Sequence, residues 1–364
     1  MNQTKGPGAD PGPAASFADR LQQAWYTNGP LAQLFRPLAG LYGGLLRLRG
    51  LLYKIGYLRT AQLPVPVIVV GNWIVGGAGK TPSTLALLAH LQRLGLRAGV
   101  VSRGYGRSTQ ETLLVKREHQ AHEVGDEPLL IHLRSGAPVA VGRDRVEAAR
   151  TLLAAHPDLD LLISDDGLQH LRLPRDLAVL LFDERGLGNG RLLPAGPLRQ
   201  PPTCQLKPEE LVLYNAPLPS TTLPGFMAHR RLAGAVSLEN WWEGQPASLS
   251  QLHSLRERPL IATAGMAHPQ RFFAMLSAEG LSFAPLPLPD HFDFVELPWP
   301  INTPDVLLTE KDAVKLPPQR CQGTRVWVVT LDFQPEQAFW HALESQLLRM
   351  KLLDKPMPQD KENG

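Results

Sequence analysis

Val67-Ile-Val-Val-Gly-Asn-Trp-Ile-Val-Gly-Gly-Ala-Gly-Lys-Thr-Pro82 decides the fold. A β-branched, uncharged run passes into glycines, then into Lys80 and Thr81, then into a segment with helical spacing. A nucleotide phosphate cradle needs that order: a strand to anchor the loop, glycines that let backbone N–H groups close on phosphate oxygens, and a helix whose positive end faces the anion. Gly76, Gly77, Ala78, Gly79, Lys80, Thr81 and Pro82 are therefore the candidates for binding ATP. The Lys80 ammonium would reach the β and γ phosphates, and the Thr81 hydroxyl would ligate Mg²⁺. Ile74 stands where the G-x-x-x-x-G-K-[ST] pattern has its first glycine, so the loop is a variant.

Outward from this loop, strand and helix patterns alternate. The spacing predicts strands at 65–72, 98–102, 138–141, 159–164 and 177–182, with helices at 80–94, 126–134 and 143–155 between them. Such alternation means an α/β protein, a mostly parallel sheet covered on both faces. After a Pro-rich segment at 194–208, a second series follows: strands 210–214, 259–264, 282–286, 305–309 and 325–330, helix 268–279, and a closing helix 335–352. The expected organisation is a phosphate-loop kinase-like domain over 17–208, a smaller α/β domain over 209–332 and a C-terminal helix within 333–353. Residues 1–16 and 354–364 are rich in Pro, Gly and charge without periodicity, and are expected to be disordered.

A phosphate-loop enzyme also needs a carboxylate at the end of a neighbouring strand to hold Mg²⁺. Leu159-Asp-Leu-Leu-Ile-Ser-Asp-Asp-Gly167 supplies Asp165 and Asp166 in that position. Read on its residues alone, Asp126 in Val124-Gly-Asp-Glu-Pro128 is a helix cap. His170 reads equally as a site residue or a surface one, and His119 and His122 have no third metal ligand in view.

Composition bounds the rest. Cys204 and Cys321 are the only cysteines in 364 residues, which supports neither a disulfide framework nor a cysteine-rich zinc site and suits a reducing cytoplasm. No secretory signal pattern opens the chain. The uncharged stretch from Thr60 to Gly79 is interrupted by Pro64, Pro66 and glycines, and reads as a strand and loop rather than a membrane span. A net charge of +3 decides nothing about nucleic acid by itself, and no nucleic-acid partner is expected. Its distribution says more: between Asp19 and Glu111 there is no acidic residue, while eleven Arg or Lys occur. One end of the molecule should be positive toward something anionic. There, Leu38, Leu41, Leu45, Leu48, Leu52 and Ile55 recur at steps of three and four, predicting an amphipathic helix over 37–58. With Arg47 and Lys54 beside the apolar stripe, that helix suits a membrane interface.

Taken with Ser102-Arg-Gly-Tyr-Gly-Arg107, Ser164-Asp-Asp-Gly-Leu-Gln-His170, Gly188-Asn-Gly-Arg-Leu-Leu-Pro-Ala-Gly-Pro-Leu-Arg199, Gly265-Met-Ala-His-Pro-Gln-Arg-Phe272 and Thr309-Glu-Lys-Asp-Ala-Val-Lys315, the phosphate loop and the Gly-Asp-Glu-Pro block resemble the tetraacyldisaccharide 4'-kinase family. These blocks cover roughly residues 35–330 in the family's order. The resemblance implies a peripheral enzyme of the cytoplasmic face of the inner membrane that phosphorylates an acylated disaccharide phosphate with ATP. It also implies two α/β domains with the site in the cleft between them. In such enzymes an aspartate, here Asp126, pairs with a histidine of the second domain, here His291, to activate the acceptor hydroxyl. The catalytic set so implied is Asp126, His291 and Lys80. The alternative from another class is a deviant phosphate-loop switch ATPase, but those usually carry a lysine where Val75 stands.

Overall fold

A computed structural model describes residues 17–27, 29–321 and 323–353, so the tails assigned to 1–16 and 354–364 lie outside the described residues. Twelve strands form one sheet. In chain order they are β1 (Val67–Gly71), β2 (Ala98–Ser102), β3 (Leu113–Leu114), β4 (Val139–Val141), β5 (Leu161–Asp165), β6 (Leu177–Asp183), β7 (Glu210–Asn215), β8 (Phe226–Ser237), β9 (Leu260–Gly265), β10 (Ala284–Leu288), β11 (Asp305–Thr309) and β12 (Arg325–Pro335). Across the sheet the order is β10-β9-β11-β12-β8-β7-β6-β1-β5-β2-β4-β3.

Every pairing is parallel except β12 with β8 and β3 with β4. β1 is wholly buried, as a central parallel strand covered on both faces must be. Its alternate side chains feed opposite layers. Ile68 and Val70 pack with Leu87 and Leu91 of the helix Lys80–Arg93, while Val67 and Val69 join Leu152 of the helix Arg145–Ala155. β1 lies between β5 and β6, which pair with it on opposite sides. The chain therefore turns both ways from β1, and ligands of open α/β sheets bind at such a switch point, beyond the carboxyl ends of the strands.

β8 joins the halves. Its first residues run parallel to β7, and the remainder runs antiparallel to β12 with a register shift between Thr330 and Leu331. Residues 226–237 were not anticipated as a strand, because His229, Arg230 and Arg231 interrupt any apolar alternation. β7 pairs with β6 in the first half, although the sequence places 210–214 at the start of the second; an apolar run does not reveal its neighbour. Pro66 has no N–H for a ladder, and β1 begins only at Val67, inside the expected 65–72.

The amphipathic helix spans Arg36–Lys54 and stops short of 58, because Gly56 takes φ +77 just beyond its C-cap. Its buried residues are the small Ala39 and Gly43, with Gly43 close against Leu192. Leu38, Leu41, Leu45, Leu48, Leu51 and Ile55 are each more than half exposed. No helix among the described residues is long and apolar enough to cross a membrane.

Candidate active site

The phosphate loop leaves β1 and wraps toward the helix Lys80–Arg93, whose N-cap Gly79 is left-handed at φ +95. Gly76 is left-handed too, at φ +99. A side chain at either would strain that backbone and displace a neighbouring side chain. A Cβ on Gly76 would stand 2.8 Å from Arg185 Nη1, and one on Gly79 would stand 2.6 Å from Asn215 Nδ2. Neighbouring strands hold the loop from behind. Asp183, ending β6, accepts from Arg185 Nε at 2.9 Å, and the Arg185 guanidinium donates to the carbonyls of Val75 (3.3 Å) and Gly77 (3.0 Å). Asn215, ending β7, donates Nδ2 to the Ala78 carbonyl at 2.9 Å. The loop's shape is thus fixed by side chains outside it, which the sequence reading missed; the available signal was a polar residue ending each apolar strand.

Lys80 Nζ lies 3.5 Å from both Asn72 Oδ1 and the Gly76 carbonyl, and 3.9 Å from Asp166. Thr81, on the same first turn, is buried. β5 pairs with β1 in a register that sets Asp165 beside Val70, at the root of the loop. The two aspartates then part ways. Asp166, at φ +51, accepts a two-pronged pair from Arg199, Nη1 to Oδ2 at 3.0 Å and Nη2 to Oδ1 at 2.7 Å. Burial raises its pKa, but the Arg199 hydrogen bonds and Lys80 outweigh burial and hold the carboxyl below its ordinary value. Asp165 has no such partner. Its Oδ1 is buried without a hydrogen bond, and burial, reinforced by Glu127 and Asp166, pushes its pKa up to about 7. Arg199 is itself tied down, donating to the Asn72 carbonyl at 3.0 Å and accepting at its own carbonyl from Tyr42 Oη at 2.9 Å.

Asp126 is the first residue of the helix Asp126–Ser135, following Gly125 at φ +97, and it does not act as a cap. Its Oδ2 instead lies 2.9 Å from His291 Nδ1, across 165 positions of sequence. His291 sits in the loop after β10 at φ +61, a conformation uncommon outside glycine, with its ring 5.7 Å from that of Tyr105. Next to it, Asp290 accepts from Lys311 Nζ at 2.8 Å. Burial would lower the Lys311 pKa, but the Asp290 carboxylate beside it raises it above the ordinary value. A second tie between the halves joins Arg134, on the Asp126 helix, to buried Glu310.

One cavity of about 1130 Å³ receives all these groups: Gly76, Gly77, Gly79, Lys80, Thr81, Pro82, Asp126, Asp165, Asp166, Arg199 and His291 line it. Ala78, within the loop, is buried and does not line the cavity, and His170 lies at the wall, 3.7 Å from Asp144. A glycine loop opening a helix, a lysine on that loop and carboxylates on the next strand define a phosphate-loop nucleotide-binding protein of kinase-like fold. A profile of the family described as Tetraacyldisaccharide-1-P 4'-kinase matches residues 31–348. The tetraacyldisaccharide 4'-kinase of Methylibium petroleiphilum is 55% identical over 332 residues, covering 90% of this chain and 93% of that relative. That of Leptothrix cholodnii is 53% identical over 332 residues, covering 90% and 95%. The crystal structure of LpxK from Aquifex aeolicus in complex with ATP superposes with a TM-score of 0.74 at 30% identity, covering 88% of this chain and 99% of that one. The chain belongs to the tetraacyldisaccharide 4'-kinase family.

Proposed function

We propose that the chain transfers the γ-phosphate of ATP to the 4'-hydroxyl of a tetraacyldisaccharide 1-phosphate, giving lipid IVA, at the cytoplasmic face of the inner membrane. The observation that carries the reading is the Asp126–His291 pair facing the phosphate loop across one cavity. A sugar hydroxyl is a poor nucleophile at neutral pH, and an imidazole oriented by a carboxylate can take its proton as the P–O bond forms. With Nδ1–H donating to Asp126, His291 Nε2 is left to accept that proton. Lys80 neutralises phosphate charge from the loop side, and phosphoryl transfer otherwise requires positioning.

The residues fit Mg²⁺. Asp165 offers a buried oxygen without a partner, and Thr81 stands on the loop's first helical turn. No group of three or more His, Cys, Asp or Glu able to hold a metal occurs among the described residues. Thr81 and Asp165 would hold it, with Asp166 braced alongside by Arg199; the bound ion would supply positive charge to the phosphates. The test is transfer of label from γ-labelled ATP to an acylated disaccharide 1-phosphate, read by phase partition. Label in the lipid phase is expected, and label released only as free phosphate would favour a switch ATPase instead.

The helix Arg36–Lys54 is the membrane contact in this reading. Its apolar stripe faces outward while alanine and glycine face the protein, the reverse of ordinary core packing. Deleting 37–58 should abolish binding to anionic liposomes, whereas high salt should remove only the electrostatic part. Unchanged sedimentation of the deletion variant with liposomes would overturn the assignment.

A further inference from the structure

Arg230 has no task in the scheme above. It projects from β8, the strand shared by both halves of the sheet, into the cavity that holds the phosphate loop. Among the described residues its side chain makes no hydrogen bond or ion pair, and its Nε is buried without a partner. The guanidinium lies over the last glycine of the loop: a Cβ on Gly79 would stand 2.8 Å from Arg230 Nη2. The nearby carboxylates are employed elsewhere, Asp183 by Arg185 and Glu184 by Arg271. Arg271 adds to the positive charge around Arg230, so burial first and this neighbour second lower its pKa.

An unpaired guanidinium left in a half-buried pocket is costly unless an anion completes it. The anion expected beside the residue preceding Lys80 is the one that lysine itself addresses, the β and γ phosphates of a nucleotide. We propose that Arg230 is a phosphate-binding residue for the nucleotide, supplied from the strand that joins the two halves and meeting the phosphates from the side opposite Asp165. Its planar fork offers two parallel donors where Lys80 offers a point charge. The inference rests on the phosphate-loop reading of Gly76–Thr81.

The test compares R230Q and R230K with the parent and with K80A, measuring affinity for ATP, ADP and adenosine by calorimetry and KM against kcat in the transfer assay. A lost charge-assisted hydrogen bond is worth about 1.5–3 kcal/mol, so R230Q should bind ATP and ADP about tenfold to a hundredfold more weakly. Adenosine affinity should be unchanged, and R230K should recover part of the loss because it keeps the charge without the fork. Guanidinium ion at millimolar concentration should restore turnover to R230A. R230Q with the parent's ATP affinity would overturn the proposal, as would equal losses for ATP and adenosine, which indicate a structural or base-side role. K80A separates the two readings: parental ATP affinity in K80A with weakened R230Q would sink the phosphate-loop assignment and leave Arg230 as an anion contact, whereas weakened K80A with parental R230Q sinks Arg230 alone.

Discussion

Lys80→Ala and Thr81→Ala are each expected to abolish phosphoryl transfer while leaving the fold intact. Lys80 makes only long contacts, 3.5 Å to Asn72 and Gly76 and 3.9 Å to Asp166, so its removal breaks no strong internal bond. Asp166 stays held by the two prongs of Arg199, and the loop stays held by Arg185 and Asn215. What disappears is positive charge aimed at the transferring phosphate, in a cavity where such charge is worth several kcal/mol of barrier, or roughly a hundredfold or more in rate. Thr81→Ala removes one hydroxyl at a buried position, which in the proposed mechanism is a loss of metal support rather than of packing. Turnover near the parent's in either variant, with the thermal transition unchanged, would sink the assignment of 76–82 to ATP.

The Asp126–His291 pair is expected to behave as one unit. Asp126→Ala and His291→Ala should each slow turnover by roughly a hundredfold or more, and the double variant should be little worse than the more damaged single one. The reason is geometric. The carboxylate at 2.9 Å fixes which ring nitrogen carries the proton, so removing it leaves an imidazole of the wrong tautomer or orientation. Losses that multiply would point to separate roles, Asp126 at the metal and His291 at the substrate. Asp290 accepts from Lys311 and brings its Oδ2 no nearer than 4.0 Å to His291 Nε2, so it does not compete for Nδ1.

Strand and helix alternation, the loop and the carboxylate strand were legible because each rests on local chemistry. A central parallel strand must be apolar on both faces, and a phosphate loop must be glycine-rich; both constraints are written within a few neighbouring residues. The partnership of Asp126 with His291 was not legible that way. On its own residues Asp126 reads as a cap, and only resemblance to a family suggested the histidine 165 positions on. Arg185, Asn215 and Arg230 were missed for the same reason: their roles arise from strand order, which brings the carboxyl ends of β6 and β7 and the interior of β8 to the loop, and strand order is not a local property. The leucine stripe of 37–58 was visible, but which way it faced was decided by Ala39 and Gly43, whose small size lets the opposite side of the helix settle against Leu192.

The helix Arg36–Lys54 also governs how the protein behaves outside its proposed setting. Six large aliphatic side chains along one edge, each more than half exposed, form a stripe that water does not tolerate at high protein concentration. Away from lipid, self-association through that edge is the expected outcome, and purification without detergent should enrich aggregates. The hydrogen bond that ties Tyr42 of this helix to the Arg199 carbonyl joins the element that carries the stripe directly to a residue of the cavity wall, so whatever covers the stripe, be it bilayer, micelle or a second copy, is coupled to the pocket through one side chain.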